Sequence, residues 1–247
     1  MNLEQLENPL KPNLRRFLRK VDSRPPKPAG RLIAVGDIHG CHLEFEELLN
    51  LLNPGSGDRL ILLGDLVNNG PDSHRVIRMA EEAGATALLG NHELRLLRIR
   101  MGHPGVQAKK GDRATLRQLT ADDWAFLHRM RHFCHFPQEE MVFVHGGFLP
   151  GHPWRLQPAS ITTRIQVVDG AGRPRKRSES PGSPHWSSLW QGPPFVVYGH
   201  TPRPEAHRRP WTLGLDTGCV NGGRLTACVW PEGKIVQVAA RAAYSKL

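Results

Sequence analysis

From Arg31 onward the chain repeats one pattern of polarity: a short apolar run, a glycine-rich polar loop, then apolar residues at helical spacing. Leu32-Ile33-Ala34-Val35 reads as a strand, and Leu43–Leu52 as the helix behind it. Leu60-Ile61-Leu62-Leu63 is a second strand, followed by a helix over Pro71–Ala83 with Pro71 in its first turn. Ala85–Leu89 is a third strand, and His92–Met101 a third helix. The runs are continuous rather than alternating, as expected of strands buried on both faces. Strand-loop-helix repetition implies parallel strands with helices on the faces and binding groups at the strands' C-terminal ends.

The middle of the chain is less regular. Asp122–Met130 fits a helix and Met141–Val144 a strand, but between Gly151 and Pro194 proline, glycine and charge dominate. Strands resume at Phe195–Tyr198, Leu213–Leu215, Arg224–Trp230 and Lys234–Ala239, with Asn221-Gly222-Gly223 and Pro231-Glu232-Gly233 as hairpin turns. Residues 1–30 end in the proline-rich Arg24–Gly30 and read as an arm, with Leu6–Val21 as a short amphipathic helix broken at Pro9 and Pro12. The expected organisation is this arm and one α/β domain over residues 31–247, carrying an irregular insertion at 151–194.

Composition narrows the setting. A chain of 247 residues can bury a large core. It contains no apolar stretch long enough for a transmembrane helix, and its polar start, Met1–Gln5, does not read as a secretory signal. Cys41, Cys134, Cys219 and Cys228 form no C-x-x-C pair and no disulfide framework, so a reduced, cytoplasmic protein is expected. The formal charge of +10 favours anionic partners such as phosphates, nucleotides, RNA or an acidic surface. Scattered arginines would also serve solubility alone.

The candidate chemistry lies where the apolar runs end, in Gly36-Asp37-Ile38-His39-Gly40, Gly64-Asp65-Leu66-Val67-Asn68-Asn69-Gly70, Gly90-Asn91-His92-Glu93, His145-Gly146-Gly147 and Gly199-His200-Thr201. Packing gives no reason for polar side chains beside glycines after five separate apolar runs. Asp37 and His39, two residues apart, can point to one side as their strand opens into its loop. Gly36 and Gly40 let the backbone turn tightly against a bound ion. Asp65 has two carboxylate oxygens and can bridge two ions, while Asn91, His145 and His200 complete the second ion's coordination. Oxygen and nitrogen donors without thiolate suit Mn, Fe, Zn, Co or Mg, with Mn2+ the expected pair. Two such ions about 3.5–4 Å apart make water nucleophilic and clamp phosphoryl oxygens. His92 can protonate the leaving oxygen. Taken alone, Gly90–Glu93 would read as a helix start capped by Asn91. His103, His128, His132, His135, His152, His185 and His207 fit no such segment and read as surface or core histidines.

Over about residues 31–230 the five segments resemble those of the phosphoprotein phosphatase superfamily: G-D-x-H-G, G-D-x-V-D-R-G, G-N-H-E, H-G-G and G-H-T. The resemblance implies a calcineurin-like metallophosphoesterase fold, an α/β architecture whose β-sandwich is flanked by helices with two metals at the strand ends. It assigns Asp37 and His39 to one metal, Asp65 to the bridge, Asn91, His145 and His200 to the other metal, and His92 to the general acid. The second segment departs from the pattern, with Asn68-Asn69 where the family has Asp-Arg. Asn68 can hydrogen-bond His92 but brings no charge to keep it protonated, and Asn69 cannot form a charged fork to phosphate. That exchange is similar to the symmetrical diadenosine tetraphosphatases and the ApaH-like phosphatases. Gly90–Leu97, Thr163-Arg164-Ile165, Trp190-Gln191-Gly192-Pro193 and Leu215–Ala227 also resemble that branch. The resemblance makes Arg164, with Asn69, the substrate-binding pair.

Three functions compete. The leading one is dimetal hydrolysis of phosphoanhydrides in dinucleoside polyphosphates or nucleotide-capped 5′ ends. The alternative is a Ser/Thr or dual-specificity protein phosphatase. A non-catalytic phospho-ligand or RNA-binding module is disfavoured by the complete ligand set. Asp216 reads as a strand-end turn residue or as a partner of the metal ligands, Trp154, Trp186 and Trp190 as packing residues with one able to stack on a base, and Arg173–Arg177 as a solvated loop or a steering patch for polyphosphate or RNA.

Overall fold

A computed structural model describes residues 30–245. In chain order the strands are β1 (Leu32–Val35), β2 (Arg59–Leu62), β3 (Thr86–Ala87), β4 (Phe133–Phe136), β5 (Met141–Val144), β6 (Val167–Val168), β7 (Pro174–Arg175), β8 (Phe195–Tyr198), β9 (His207–Arg209), β10 (Thr212–Gly214), β11 (Arg224–Trp230) and β12 (Lys234–Ala239). The helices are α1 (His42–Leu52), α2 (Ser73–Glu82), α3 (Asn91–Arg100), α4 (Lys110–Gln118), α5 (Ala121–Arg129), α6 (Ala159–Thr162) and α7 (Trp186–Leu189). One five-stranded sheet runs β12-β11-β1-β2-β3, a second runs β4-β5-β8-β10-β9, and β6-β7 form a small hairpin.

The parallel strands are β1, β2 and β3 in the first sheet and β5, β8 and β10 in the second; antiparallel strands close the β12 edge of the first sheet and both edges of the second, while the parallel β3 forms the first sheet's other edge. Pleating sorts their side chains. Ile33, Val35 and Leu62 pack with Phe45 and Leu48 of α1 and Val76 and Ile77 of α2. Their neighbours Leu32, Ala34, Ile61 and Leu63 turn the other way and meet Phe143, Val197 and Leu213 of the second sheet. Val142, Val144, Val196 and Tyr198 bury the outer face of that sheet against Phe148, Trp154 and Trp186. Each fully buried Phe or Leu contributes roughly 1.5–3 kcal/mol. Helices therefore cover one face of the first sheet, and its other face is covered by a sheet rather than by the helices that the repetition alone suggests.

One local expectation changes, at the start of α2. Pro71 lies before α2, not in its first turn, because Asp72 is the cap and accepts the Arg75 N–H at 2.9 Å. The tryptophans are packing residues: Trp154 and Trp186 are buried, and a Cβ on Gly147 (φ 139°) would enter the Trp186 ring. Trp190 is partly buried, with its Nε1–H donated to Pro194 O at 3.0 Å. The helix expected over Leu6–Val21 falls outside the described residues. All four cysteines are free.

Candidate metal centre

The loops leaving the C-terminal ends of the parallel strands converge. Asp37 and His39 follow β1, Asp65 follows β2, Asn91 and His92 open α3 just beyond β3, His145 follows β5 and His200 follows β8. Five of the backbones here are forced into the left-handed region that side chains normally avoid: His39 (φ 50°), Asp65 (φ 48°), Asn68 (φ 70°), Asn69 (φ 72°) and His200 (φ 67°). Such strain gathers where side-chain direction is fixed by function. The framing glycines supply clearance, since a Cβ at Gly90 would collide with the Asp65 carboxylate and one at Gly199 with that of Asp37.

His39, Asp65 and His92 bring ligand atoms within 4.8 Å of one another, as do Asp65, His145 and His200. Asp65 belongs to both groups, the position of a bridging ligand. Its Oδ2 lies 3.6 Å from His39 Nε2 and 3.3 Å from His145 Nε2. Asp37 Oδ2 stands 4.0 Å from His39 Nε2, and Asn91 Oδ1 lies 3.1 Å from His145 Nε2. His92 Nε2 is 4.0 Å from Asp65 Oδ2. Backbone groups orient the donors: Val67 O faces His39 Nδ1 at 3.0 Å and Leu63 O faces His145 Nδ1 at 2.9 Å. These contacts leave both Nε2 atoms for the cluster.

The electrostatics suit cations. Burial, and then the adjacent Asp216, hold the Asp37 carboxyl well above the usual carboxylate range. Burial also raises Asp65, but His145 and His92 outweigh it and hold it well below that range. Burial alone would lower His145; the Asp65 and Asp37 carboxylates lift it instead to about 10. Burial drives His200 down to about 3. Buried carboxylates leaning on imidazoles for charge, around a mixed oxygen and nitrogen donor set, fit divalent ions.

Three further residues belong to the site, and two of them, Glu93 and Asp112, were not legible as parts of it. Asp216, read from sequence as a turn residue or a partner of the ligands, is both: it accepts the Gly218 N–H at 3.0 Å, and it follows β10 and lines the pocket that holds Asp37 and His39. Its signal was its place after a sixth apolar run. Glu93, fully buried, accepts N–H groups from Asp65 (3.0 Å), Leu66 (2.7 Å), Val67 (3.2 Å) and Gly90 (2.9 Å), tying the β2 loop to the start of α3. Asp112, from α4, is buried and accepts Asn68 Nδ2–H at 2.9 Å and two N–H groups of Arg95. No sequence signal connected it to Asn68.

The surroundings of His92 follow from that last network. Asn68 Nδ2 and Arg95 Nη2 each stand 3.1 Å from His92 Nδ1. Both are donors, so Nδ1 is an acceptor and the ring proton sits on Nε2. Burial, aided by His39 and Arg95 against the opposing pull of Asp65, lowers the His92 pKa to about 3. Asn69 is exposed at the pocket edge. Arg164 is exposed as well; its carbonyl lies 3.2 Å from His200 Nε2, and it lines a neighbouring cleft with Asn91.

A two-sheet sandwich with buried carboxylates and imidazoles gathered at its parallel strand ends is the layout of a metal-dependent phosphoesterase. The chain belongs to the calcineurin-like phosphoesterases, whose family model matches residues 30–229. It is 32% identical to the asymmetrical bis(5′-nucleosyl)-tetraphosphatase of Halalkalibacterium halodurans, over 84% of this chain and 93% of that one. It is 30% identical to the symmetrical bis(5′-nucleosyl)-tetraphosphatase of Nitrosomonas europaea, over 83% of this chain and 97% of that one. A solved structure provisionally described as a diadenosine tetraphosphatase superposes with a TM-score of 0.77 at 32% identity, covering 87% of this chain and 96% of the other. Among the described residues no helix is long and apolar enough to cross a membrane.

Proposed function

We propose that this protein hydrolyses phosphoanhydride bonds of dinucleoside polyphosphates such as diadenosine tetraphosphate. The observation that carries the reading is the pair of donors on His92 Nδ1. In a protein phosphatase the leaving group is a serine or threonine alkoxide, a strong base that needs a full proton. Anhydride cleavage releases a phosphate, a weak base for which a hydrogen bond suffices. A neutral His92 offering Nε2–H supplies such a bond, and Asn68 in place of a carboxylate agrees with it. Similarity to tetraphosphatases of both cleavage modes supports the same substrate class.

In this reading Asp37 and His39 hold one divalent ion, Asp65 both, and Asn91, His145 and His200 the other. Two ions there, Mn2+ by preference, would supply Lewis acidity for the phosphoryl oxygens and lower the pKa of water. Asp216, next to Asp37, accepts a proton or a water hydrogen on the same side of the pocket. Arg95 holds the His92 tautomer, and Arg164 with Asn69 contacts the substrate phosphates. The free cysteines suit a cytoplasmic setting.

The test compares kcat/KM with Mn2+ on diadenosine tetraphosphate, a nucleotide-capped RNA, a phosphopeptide and an aryl phosphate. A preference for the anhydrides over the phosphopeptide of at least about tenfold, ~1.4 kcal/mol, is expected. The reverse preference would overturn the reading. The product pair, two ADP or AMP with ATP, reports the cleavage position.

A further inference from the structure

The helix that carries Asn91 also carries Arg95 and Arg98, four and then three residues on, so all three share one face. At 1.5 Å per residue this face runs about 10 Å from the metal centre outward. It forms one wall of a cleft of about 320 Å3, which Lys109 and Arg164 also line. Arg98 and Arg164 then line an adjoining cleft of about 260 Å3 together with Arg175 and Lys176. The two clefts make one basic groove that begins at a candidate metal ligand.

The charges along it are not equivalent. Arg95 is committed to Asp112. Arg175 pairs with the partly buried Asp169, and Lys176 with Glu179 at the surface, where such a pair contributes little. Arg98, Lys109 and Arg164 pair with no acid among the described residues. Three uncompensated cations beside a buried metal-ligand cluster repel one another unless an anion lies between them. A solvated helix face would not concentrate them on the side that Asn91 occupies.

We infer that this groove is the seat of the polyphosphate chain beyond the scissile bond, with Arg98 and Lys109 as its specificity-determining residues. The inference rests on the anhydride-hydrolase reading and adds to it how a chained phosphate is told from a single phosphate ester. A phosphate monoester would occupy only the metal pocket, whereas a dinucleoside polyphosphate would reach Arg98 and Lys109.

The test uses the full-length protein with Mn2+ and the variants Arg98→Ala and Lys109→Ala. Neither side chain makes a hydrogen bond within the described fold, and unchanged thermal midpoints would verify folding. On diadenosine tetraphosphate, kcat/KM is expected to fall about tenfold per variant, ~1.4 kcal/mol, with KM carrying most of the change. On an aryl phosphate it should stay within about twofold. Inorganic tripolyphosphate should inhibit the variants about tenfold more weakly, with orthophosphate inhibition unchanged. Equal losses on both substrates, or none on the tetraphosphate, would overturn the groove while leaving the anhydride reading intact. A wild-type protein that cleaves the aryl phosphate but not the tetraphosphate would remove the reading and the groove together.

Discussion

The Asn68 amide NH2 serves two acceptors at once, donating to Asp112 Oδ1 at 2.9 Å and to His92 Nδ1 at 3.1 Å. An aspartate at this position would set a carboxylate oxygen against that of Asp112. Asn68→Asp is therefore expected to destabilise the fold by about 1–3 kcal/mol in urea unfolding. Adding Asp112→Asn should recover much of the loss, and additive losses would show that the two do not communicate. For His92→Asn the expected result is a fall in kcat of about 10²-fold or more with unchanged metal content. Turnover within a factor of about two of wild type would exclude His92 from the leaving-group role. The metal-ligand candidates were legible because each follows its own apolar run beside a glycine. Asp112 was not, because its partner lies 44 residues away and only folding brings them together.

Two helices divide the work around the site. The N-terminus of α3 is fixed by Glu93, whose two oxygens accept four backbone N–H groups from Gly90 and the β2 loop. Glu93→Gln would turn an amide NH2 toward two of those donors. It is expected to cost about 1–3 kcal/mol by denaturant midpoint and to weaken Mn2+ binding, since the same loop presents Asp65. Stability and metal affinity equal to wild type would mean that the loop holds itself. Helix α4 escaped the sequence reading for a physical reason: its buried positions are Asp112 and Thr115, and Gly111 weakens its intrinsic propensity. Amphipathicity is normally written in apolar residues, so a helix docked by polar ones leaves no periodic signal.

At the scale of the molecule, pH and metal act on different parts of the stability. Burial, and then the charge of Arg203, lower the His185 pKa from an ordinary 6.5 to about 3. Between those values the unfolded chain binds a proton that the folded chain refuses, so stability is complete above about pH 6.5 and declines as pH falls. His185→Gln should flatten urea midpoints across about pH 7 to 5; an unchanged slope would assign the acid limb to other groups. Mn2+ added to EDTA-treated protein should raise the thermal midpoint, since binding at a hundredfold excess over Kd adds about 2.7 kcal/mol of stability. No shift would argue against a buried carboxylate cluster that needs cations. The polarity pattern alone was enough for the parallel strands and β11 and β12, for α1, α2, α3 and α5, for the candidate ligands and for the class of chemistry, since burial on both faces and a glycine-framed ligand are local demands; the short β4, β6, β7 and β9 and the helices α4, α6 and α7 left no such pattern. The second sheet covering the first followed from the family resemblance rather than from the polarity pattern, whereas the ties of Glu93 to the loop of Asp65, the enclosure of Asn68 and His92 by Asp112 and Arg95, and the cations along one groove emerge only on folding. Those relations join residues far apart in the chain through hydrogen bonds and charge, which impose no period on the sequence.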